Sequence, residues 1–383
     1  MTMTMVVGAD ELRVGAAAAL AVRPGDVEVE ATPIEHASGS PATAGLWRVE
    51  ASGGDRRARC FVKLLRHPSR WPGLTTIPDG FRDEFVAYFP WRFELDMHLA
   101  GVPDLLPDGM RTPRLHHVLA LDEDHLLLTW EHVDERRRAW GDADYQRAAG
   151  LLGRFAARRP AGAAVNESLP AACHDPRSAL RYLVERRLLI GVVPALADPD
   201  TWAHPALAAA LERTGESDLP ARMAAWAARI LDVLAMVESL PQTFAHGDAS
   251  PQNLLVDERD PGTFVVIDWG FGTLLPVGFD LGQLVIGLMH AGLVDADELD
   301  RLADLVVPPY LDGSQVEGLD VTADEVWAGF LGGLACRSAL LSLPFERLGE
   351  PPTADLVDHL TERVRLTARL LDLIDGRLPV PAG

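Results

Sequence analysis

The sequence predicts an α+β chain in two parts, a β-rich first third and a mainly helical remainder, meeting near residue 133. Three observations lead there. Short runs of alternating apolar and polar residues fill the stretch up to Trp130, the pattern of half-buried strands. Beyond Val133 the chain turns rich in Ala, Leu and Arg, with apolar residues recurring at the 3.6-residue period of helices. A length of 383 residues with 48% hydrophobic content exceeds what one small core needs. The expected units are therefore 1–133 and 134–383.

Taken in order, the alternation from Asp26 to His36 reads as a strand. Gly45 to Glu50 and Ala58 to Leu65 give two more, joined by a turn at Gly53-Gly54-Asp55. Phe81 to Ala100 has helical spacing, cut in two by Pro90, whose ring and missing N–H break a helix. Arg114 to Ala120 and His125 to Trp130 are strands on either side of an acidic turn. Helices follow over Tyr145 to Arg159, Pro176 to Ile190, Pro205 to Thr214 and Ala221 to Leu240. A β island, Asn253 to Asp257 and Thr263 to Asp268 around Asp260-Pro261-Gly262, reads as a hairpin. Asp280 to His290, Ala296 to Val306, Ala323 to Ser342 and Ala354 to Asp375 complete the helices.

Composition excludes several function classes. With 35 Lys and Arg against 56 Asp and Glu, the net charge of -21 repels polyanions, so neither nucleic acid nor an anionic membrane is an expected partner. It is compatible with a cationic small molecule but identifies none. Three widely separated cysteines, Cys60, Cys173 and Cys336, offer no disulfide framework and no zinc site, which fits a reducing cytoplasm. The most apolar N-terminal stretch, Gly15 to Val22, is too short for a membrane span and lacks the basic start of a signal peptide.

The chemistry concentrates between Phe244 and Leu281. Asp248 is followed by Asn253 where the hairpin begins, and Asp268 stands where it ends. The hairpin folds Asp268 back beside Asn253. Two oxygen ligands there, with a carboxylate on the preceding loop, match the preference of Mg²⁺ for oxygen donors completed by water and substrate phosphates. That pattern points to phosphoryl transfer. There is no Gly-x-x-x-x-Gly-Lys-Ser/Thr loop and no dinucleotide fingerprint.

The spacing Asp-x-x-x-x-Asn followed by Asp-x-Gly resembles the catalytic loop and metal motif of protein kinases. In the forms His246-Gly247-Asp248 and Asp268-Trp269-Gly270 it is similar to the aminoglycoside phosphotransferase and choline kinase family. The resemblance runs in family order over roughly residues 30 to 340. It implies a protein-kinase-like two-lobed fold with ATP in the cleft between the lobes. It implies further that Asp248 accepts or orients the proton of the acceptor hydroxyl and that Asn253 and Asp268 bind Mg²⁺. Lys63, in Phe61-Val62-Lys63-Leu64, would hold nucleotide phosphates and pair with Glu94, which is preferred to Glu84 for its Trp91-Arg92-Phe93-Glu94 context. Glu131, His132 and Val133 correspond to the hinge that meets adenine. His246 and Asp280 would support the catalytic loop.

The sequence departs from the protein-kinase pattern in two places. Ser38-Gly39-Ser40 stands where a Gly-rich phosphate loop is expected, so Ser38 and Ser40 become the candidate phosphate contacts. Gly247 replaces the arginine through which a phosphorylated activation loop is sensed, which argues against that regulation and against protein acceptors. The expected function is an ATP- and Mg²⁺-dependent kinase of a small-molecule hydroxyl. The alternative is a catalytically silent nucleotide-binding module.

Overall fold

The computed structural model describes residues 7–35, 40–136, 138–158, 160–161, 163, 175 and 177–378. Its first elements are α1 (Ala9–Leu20), β1 (Glu28–Pro33), β2 (Thr43–Gly53), β3 (Arg56–Arg66), α2 (Asp79–Tyr88), α3 (Phe93–Leu99), β4 (Met110–Arg111), β5 (Leu115–Ala120) and β6 (His125–Glu131). Then come α4 (Asp142–Ala157), α5 (Ser178–Tyr182), α6 (Val193–Ala197), α7 (Pro199–Trp202), α8 (Pro205–Thr214) and α9 (Leu219–Ser239). The remainder is β7 (Gln242–Ala245), β8 (Leu254–Val256), β9 (Phe264–Val266), β10 (Thr273–Pro276), α10 (Asp280–His290), α11 (Leu299–Val316), α12 (Ala323–Arg337) and α13 (Ala354–Arg377). The chain divides into two units, each discontinuous in sequence. One comprises Met1–Leu99, Arg111–Arg137 and Leu255–Ile267, and the other Ala100–Met110, Arg138–Leu254 and Asp268–Gly383.

In the first unit five strands form an antiparallel sheet in the order β1-β2-β3-β6-β5. The two-residue period of β3 sends Cys60, Val62 and Leu64 to one face, where they pack with Val49, Leu127 and Leu12 of α1. Leu65 goes to the other face, with Leu126, Leu128, Trp130 and Leu95 of α3. Lys63 shares that second parity. Helix α1 has no counterpart among the predicted elements. Its run of alanines, too short to span a membrane, is a good helix former that buries Ala16, Ala17 and Leu20. Pro90 separates α2 from α3, as its ring chemistry requires.

In the second unit α10 is buried along nearly its whole length, including Leu281, Leu284, Val285 and Ile286. Helices α4, α11 and α12 pack on it. Helix α11 extends ten residues beyond the predicted end at Val306, through Pro308 and Pro309. Its close packing along α4 outweighs the helix-breaking cost of the two prolines. The helix expected over Pro176 to Ile190 is a short α-turn, α5, followed by a π-helical stretch, Leu183–Ile190. By composition Ala323–Gly349 is apolar and long enough to cross a membrane, but 78% of its most apolar window is buried, so that apolarity goes into the core. Helix α12 sits unusually tight: a Cβ on Gly329 would lie 1.8 Å from the carbonyl oxygen of Val277.

Two outcomes follow for stability. In Gly329→Ala the helix-propensity gain of about 1 kcal/mol opposes a backbone clash, and overpacking of this kind costs about 1–3 kcal/mol or more. Urea unfolding is expected to show net destabilisation; equal or higher stability would refute the tight seat of α12. His290, whose Nε2 lies 3.1 Å from the Ser342 hydroxyl, is held to about 4 by burial and by the charges of Arg363 and Arg337. The unfolded chain therefore binds a proton that the folded one does not between pH 6.5 and about 4. Stability should fall as the pH drops through that window, by up to roughly 3 kcal/mol from this group. His290→Gln should flatten the decline measured by thermal melts.

Candidate active site

The catalytic-loop candidates lie in the second unit, delivered by β7. Its antiparallel pairing with β10, Ala245 opposite Thr273, ends where the loop begins. Sequence inspection assigned neither strand, because each is only four residues long and without clear alternation. From there the Asp280 carboxylate, at the start of α10, fixes the backbone: Oδ2 accepts from the His246 N–H at 2.9 Å and Oδ1 from the Gly247 N–H at 2.8 Å. Asp280 is 4% exposed, and burial raises its pKa while the two N–H donors and the Arg337 guanidinium pull it back.

His246 is fully buried, its ring 4.6 Å from that of Trp269, and its Nδ1 accepts from the Asp248 N–H at 3.2 Å. These contacts make it a scaffold for the loop. Gly247 has φ 77°, and a Cβ there would lie 2.1 Å from the Phe271 carbonyl oxygen. Both conditions demand glycine. The loop thus has no room for the arginine of the protein-kinase pattern.

Asp248 is the partly exposed carboxylate of the group, 23% exposed on its side chain. The Asn253 amide donates to its carbonyl oxygen at 2.8 Å and to Oδ2 at 3.2 Å. The Arg337 guanidinium donates to Oδ1 at 2.9 Å. Asn253 ends the 3₁₀ turn Pro251–Asn253 and directly precedes β8, and Asp268 follows β9, the neighbouring strand. Asp268 is exposed and adopts φ 56°, ψ 65°. Apart from Ala21 it is the only non-glycine residue with positive φ among the described residues. Aspartate is among the few non-glycine types that visit this left-handed region, and such positions cluster at functional sites.

These two residues fit a hard divalent cation. The Asn253 amide nitrogen is committed to Asp248, which leaves Oδ1 as its ligand atom, and the Asp268 carboxylate adds further oxygen donors. One or two protein oxygens with substrate phosphates is the manner in which Mg²⁺ is usually held.

In the first unit Lys63, opposite Leu46 on β2 and Leu128 on β6, makes a 2.5 Å ion pair with Glu94 Oε2. The side chains are only 13% and 16% exposed, and α3 is anchored by buried Phe93, Leu95 and Met97. Glu84 lies on α2. Glu131 is gripped by Arg111 at 2.9 and 3.0 Å and accepts from the Arg114 N–H at 3.1 Å, so its carboxylate is already committed. The His132 N–H donates to the Arg59 carbonyl at 3.3 Å, and the Val133 carbonyl accepts from the Glu135 N–H at 3.0 Å. Burial lowers the His132 pKa, with Arg48 adding to the effect. A cavity of about 630 Å³ in this unit is lined by Val29, Glu50, Arg59, Glu131, His132 and Arg259 among others. Ser40 is tied to β2 through the Thr43 N–H at 3.1 Å and the Thr43 hydroxyl at 3.2 Å. Ser38 lies outside the described residues.

One polar partner of the loop, Arg337, was not among the predicted site residues. Its signal was a lone basic residue closing a helix otherwise built of apolar, small and acidic residues.

The family model for phosphotransferase enzymes matches residues 94–299, more than half of the chain. No curated protein matches in sequence. Among solved structures, an amicoumacin kinase in complex with AMP-PNP, Ca²⁺ and Ami superposes with a TM-score of 0.51 at 13% identity, over 94% of this chain and 91% of that one. An aminoglycoside phosphotransferase from Alicyclobacillus acidocaldarius gives 0.48 at 13% identity over 90% and 92%. A choline kinase from Cryptosporidium parvum gives 0.47 at 13% identity over 96% and 98%. The fold is kinase-like, and the chain belongs to the phosphotransferase enzyme family.

Proposed function

We propose that this protein is a cytoplasmic ATP- and Mg²⁺-dependent kinase that transfers the γ-phosphoryl group to a hydroxyl of a small molecule. The observation that carries the reading is the arrangement of Asp248: a partly exposed carboxylate on a loop pinned by Asp280, with the Asn253 amide turned onto it. Membership of the phosphotransferase family supports the reaction class.

In this reading the acceptor oxygen attacks the γ-phosphorus, the bond to the bridging oxygen breaks, and a nucleoside diphosphate leaves. Asp248 orients the hydroxyl and takes its proton. Asn253 Oδ1 and the Asp268 carboxylate hold Mg²⁺, which supplies charge neutralisation at the phosphate oxygens. Lys63, kept in place by Glu94, adds a second positive charge for the phosphates. The reaction needs little more than positioning and charge compensation, and these residue types provide both. The Glu131–Val133 segment would meet the adenine in this reading, although its His132 N–H and Val133 carbonyl are already bonded to Arg59 and Glu135, and the Ser40 hydroxyl remains the described candidate in the phosphate loop.

Two measurements test the proposal. With Mg-ATP and a panel of aminoglycosides, amino alcohols, sugars, nucleosides and hydroxy acids, wild type should form a phosphorylated product detectable by ³¹P NMR. Asp248→Ala should lower kcat by about 10²–10⁴-fold while keeping nucleotide affinity within a few-fold. Unchanged turnover in that variant would sink the assignment of the base. Nucleotide binding with no turnover of any acceptor would favour a silent binding module. In the second measurement, Asp268→Ala should abolish the Mg²⁺ dependence of nucleotide binding seen by calorimetry in wild type; intact dependence would remove Asp268 from the metal site.

A further inference from the structure

Arg337 is the last residue of α12 and lies outside the segment that the family model matches. Its side chain is only 14% exposed, and it donates to Asp248 Oδ1 at 2.9 Å. The guanidinium stacks over the Phe271 ring, 4.8 Å from its centroid. Burial this deep is costly for a cation unless it is paired, and here the pairing partner is the proposed base itself. The C-terminal end of a helix, where the dipole is negative, further favours a positive side chain. The seat is built in from several sides: Gly329 lets α12 approach the Val277 backbone, and Ser338 next to Arg337 accepts from the Gln283 side chain at 3.0 Å.

Asp248 consequently has its two carboxylate oxygens in different situations. Among the described residues, Oδ1 holds a short, charge-assisted bond to Arg337, and Oδ2 has the longer contact to the Asn253 amide at 3.2 Å. With Oδ1 committed, the carboxylate cannot rotate freely, and Oδ2 is the oxygen that remains for an incoming hydroxyl.

We propose that Arg337 is a positioning residue for phosphoryl transfer: it clamps Asp248 through Oδ1 and so presents Oδ2 to the acceptor. This rests on the kinase reading above. It acts through Asp248 and not on the nucleotide, so its loss should fall on kcat and leave the nucleotide site alone. A carboxylate freed from the clamp samples several rotamers, and misplacement of a reacting group by about 1 Å can cost on the order of 10²-fold.

The test compares wild type with Arg337→Ala, Arg337→Gln and Arg337→Lys, using the acceptor found for wild type. Thermal melts establish folding, and calorimetry gives Mg-nucleotide affinity. The expected result is a fall in kcat of about 10–100-fold in the Ala and Gln variants, with nucleotide affinity within about twofold of wild type. The Lys variant should regain part of the rate, and millimolar guanidinium ion should restore part of it to the Ala variant. If the Ala variant fails to fold, the Gln and Lys variants decide by the same criteria. Wild-type kcat in a folded Ala or Gln variant would overturn the proposal, as would loss of nucleotide affinity in step with kcat. Absence of any turnover by wild type would instead overturn the kinase reading on which it rests.

Discussion

The site depends first on one buried carboxylate. Asp280 takes two backbone N–H groups of the loop at once, and these are donors that no strand or helix satisfies, since β7 has just ended. An unpaired buried N–H costs about 1–3 kcal/mol, and two are resolved by a single side chain. The residue is itself nearly inaccessible, so it keeps its place only because α10, which carries it, is enclosed by α4, α11 and α12. Without the helical core there is no anchored Asp280. Without Asp280, the His246 and Gly247 N–H groups would lose their acceptor inside the core.

The same economy governs the glycines that matter. Gly247 is compelled twice, by its positive φ and by the Phe271 carbonyl, so the identity of the residue before the proposed base is a packing result. Gly329 is compelled by the Val277 carbonyl, and it lies two helical turns before Arg337. Where α12 sits decides where its terminal guanidinium reaches. Packing far from the loop thereby sets the hydrogen bond to Asp248.

Much of this was legible in the sequence for physical reasons that can be named. Strands β2, β3, β5 and β6 announce themselves by alternation, because one sheet face packs on α1 and the parity of every side chain is therefore fixed. Asp248, Asn253 and Asp268 were readable because they cluster within one short segment, where local spacing determines their placement. Lys63 and Glu94 required the family resemblance, since their 2.5 Å contact spans separate elements. Other features were not legible. Helix α1 has a run of four alanines before its last residue and carries little amphipathic signal, β7 and β10 are too short to show a period, and the prolines inside α11 point to a break that packing overrides. Arg337 stands out as the one basic residue of its helix, but no local pattern connects it to Asp248, 89 residues away.

The net charge of -21 can now be set against the field at the site. Screening in physiological salt confines the influence of an exposed charge to about 8 Å, so the overall sum says little about what an acceptor meets at Asp248. Many of the acids are moreover engaged in local ion pairs, such as Glu317 with Arg154 and Arg158, Asp144 with Arg138, and Asp304 with Arg377. What lies against the carboxylate itself is a guanidinium at 2.9 Å and, stacked beneath that guanidinium, an aromatic ring. Asp248 is thus locally compensated, and attraction of a polycation by an uncompensated acidic cluster has no basis in its immediate contacts. The charge total therefore identifies no partner, because what an incoming group meets at Asp248 is set by its near neighbours and not by the sum over the chain.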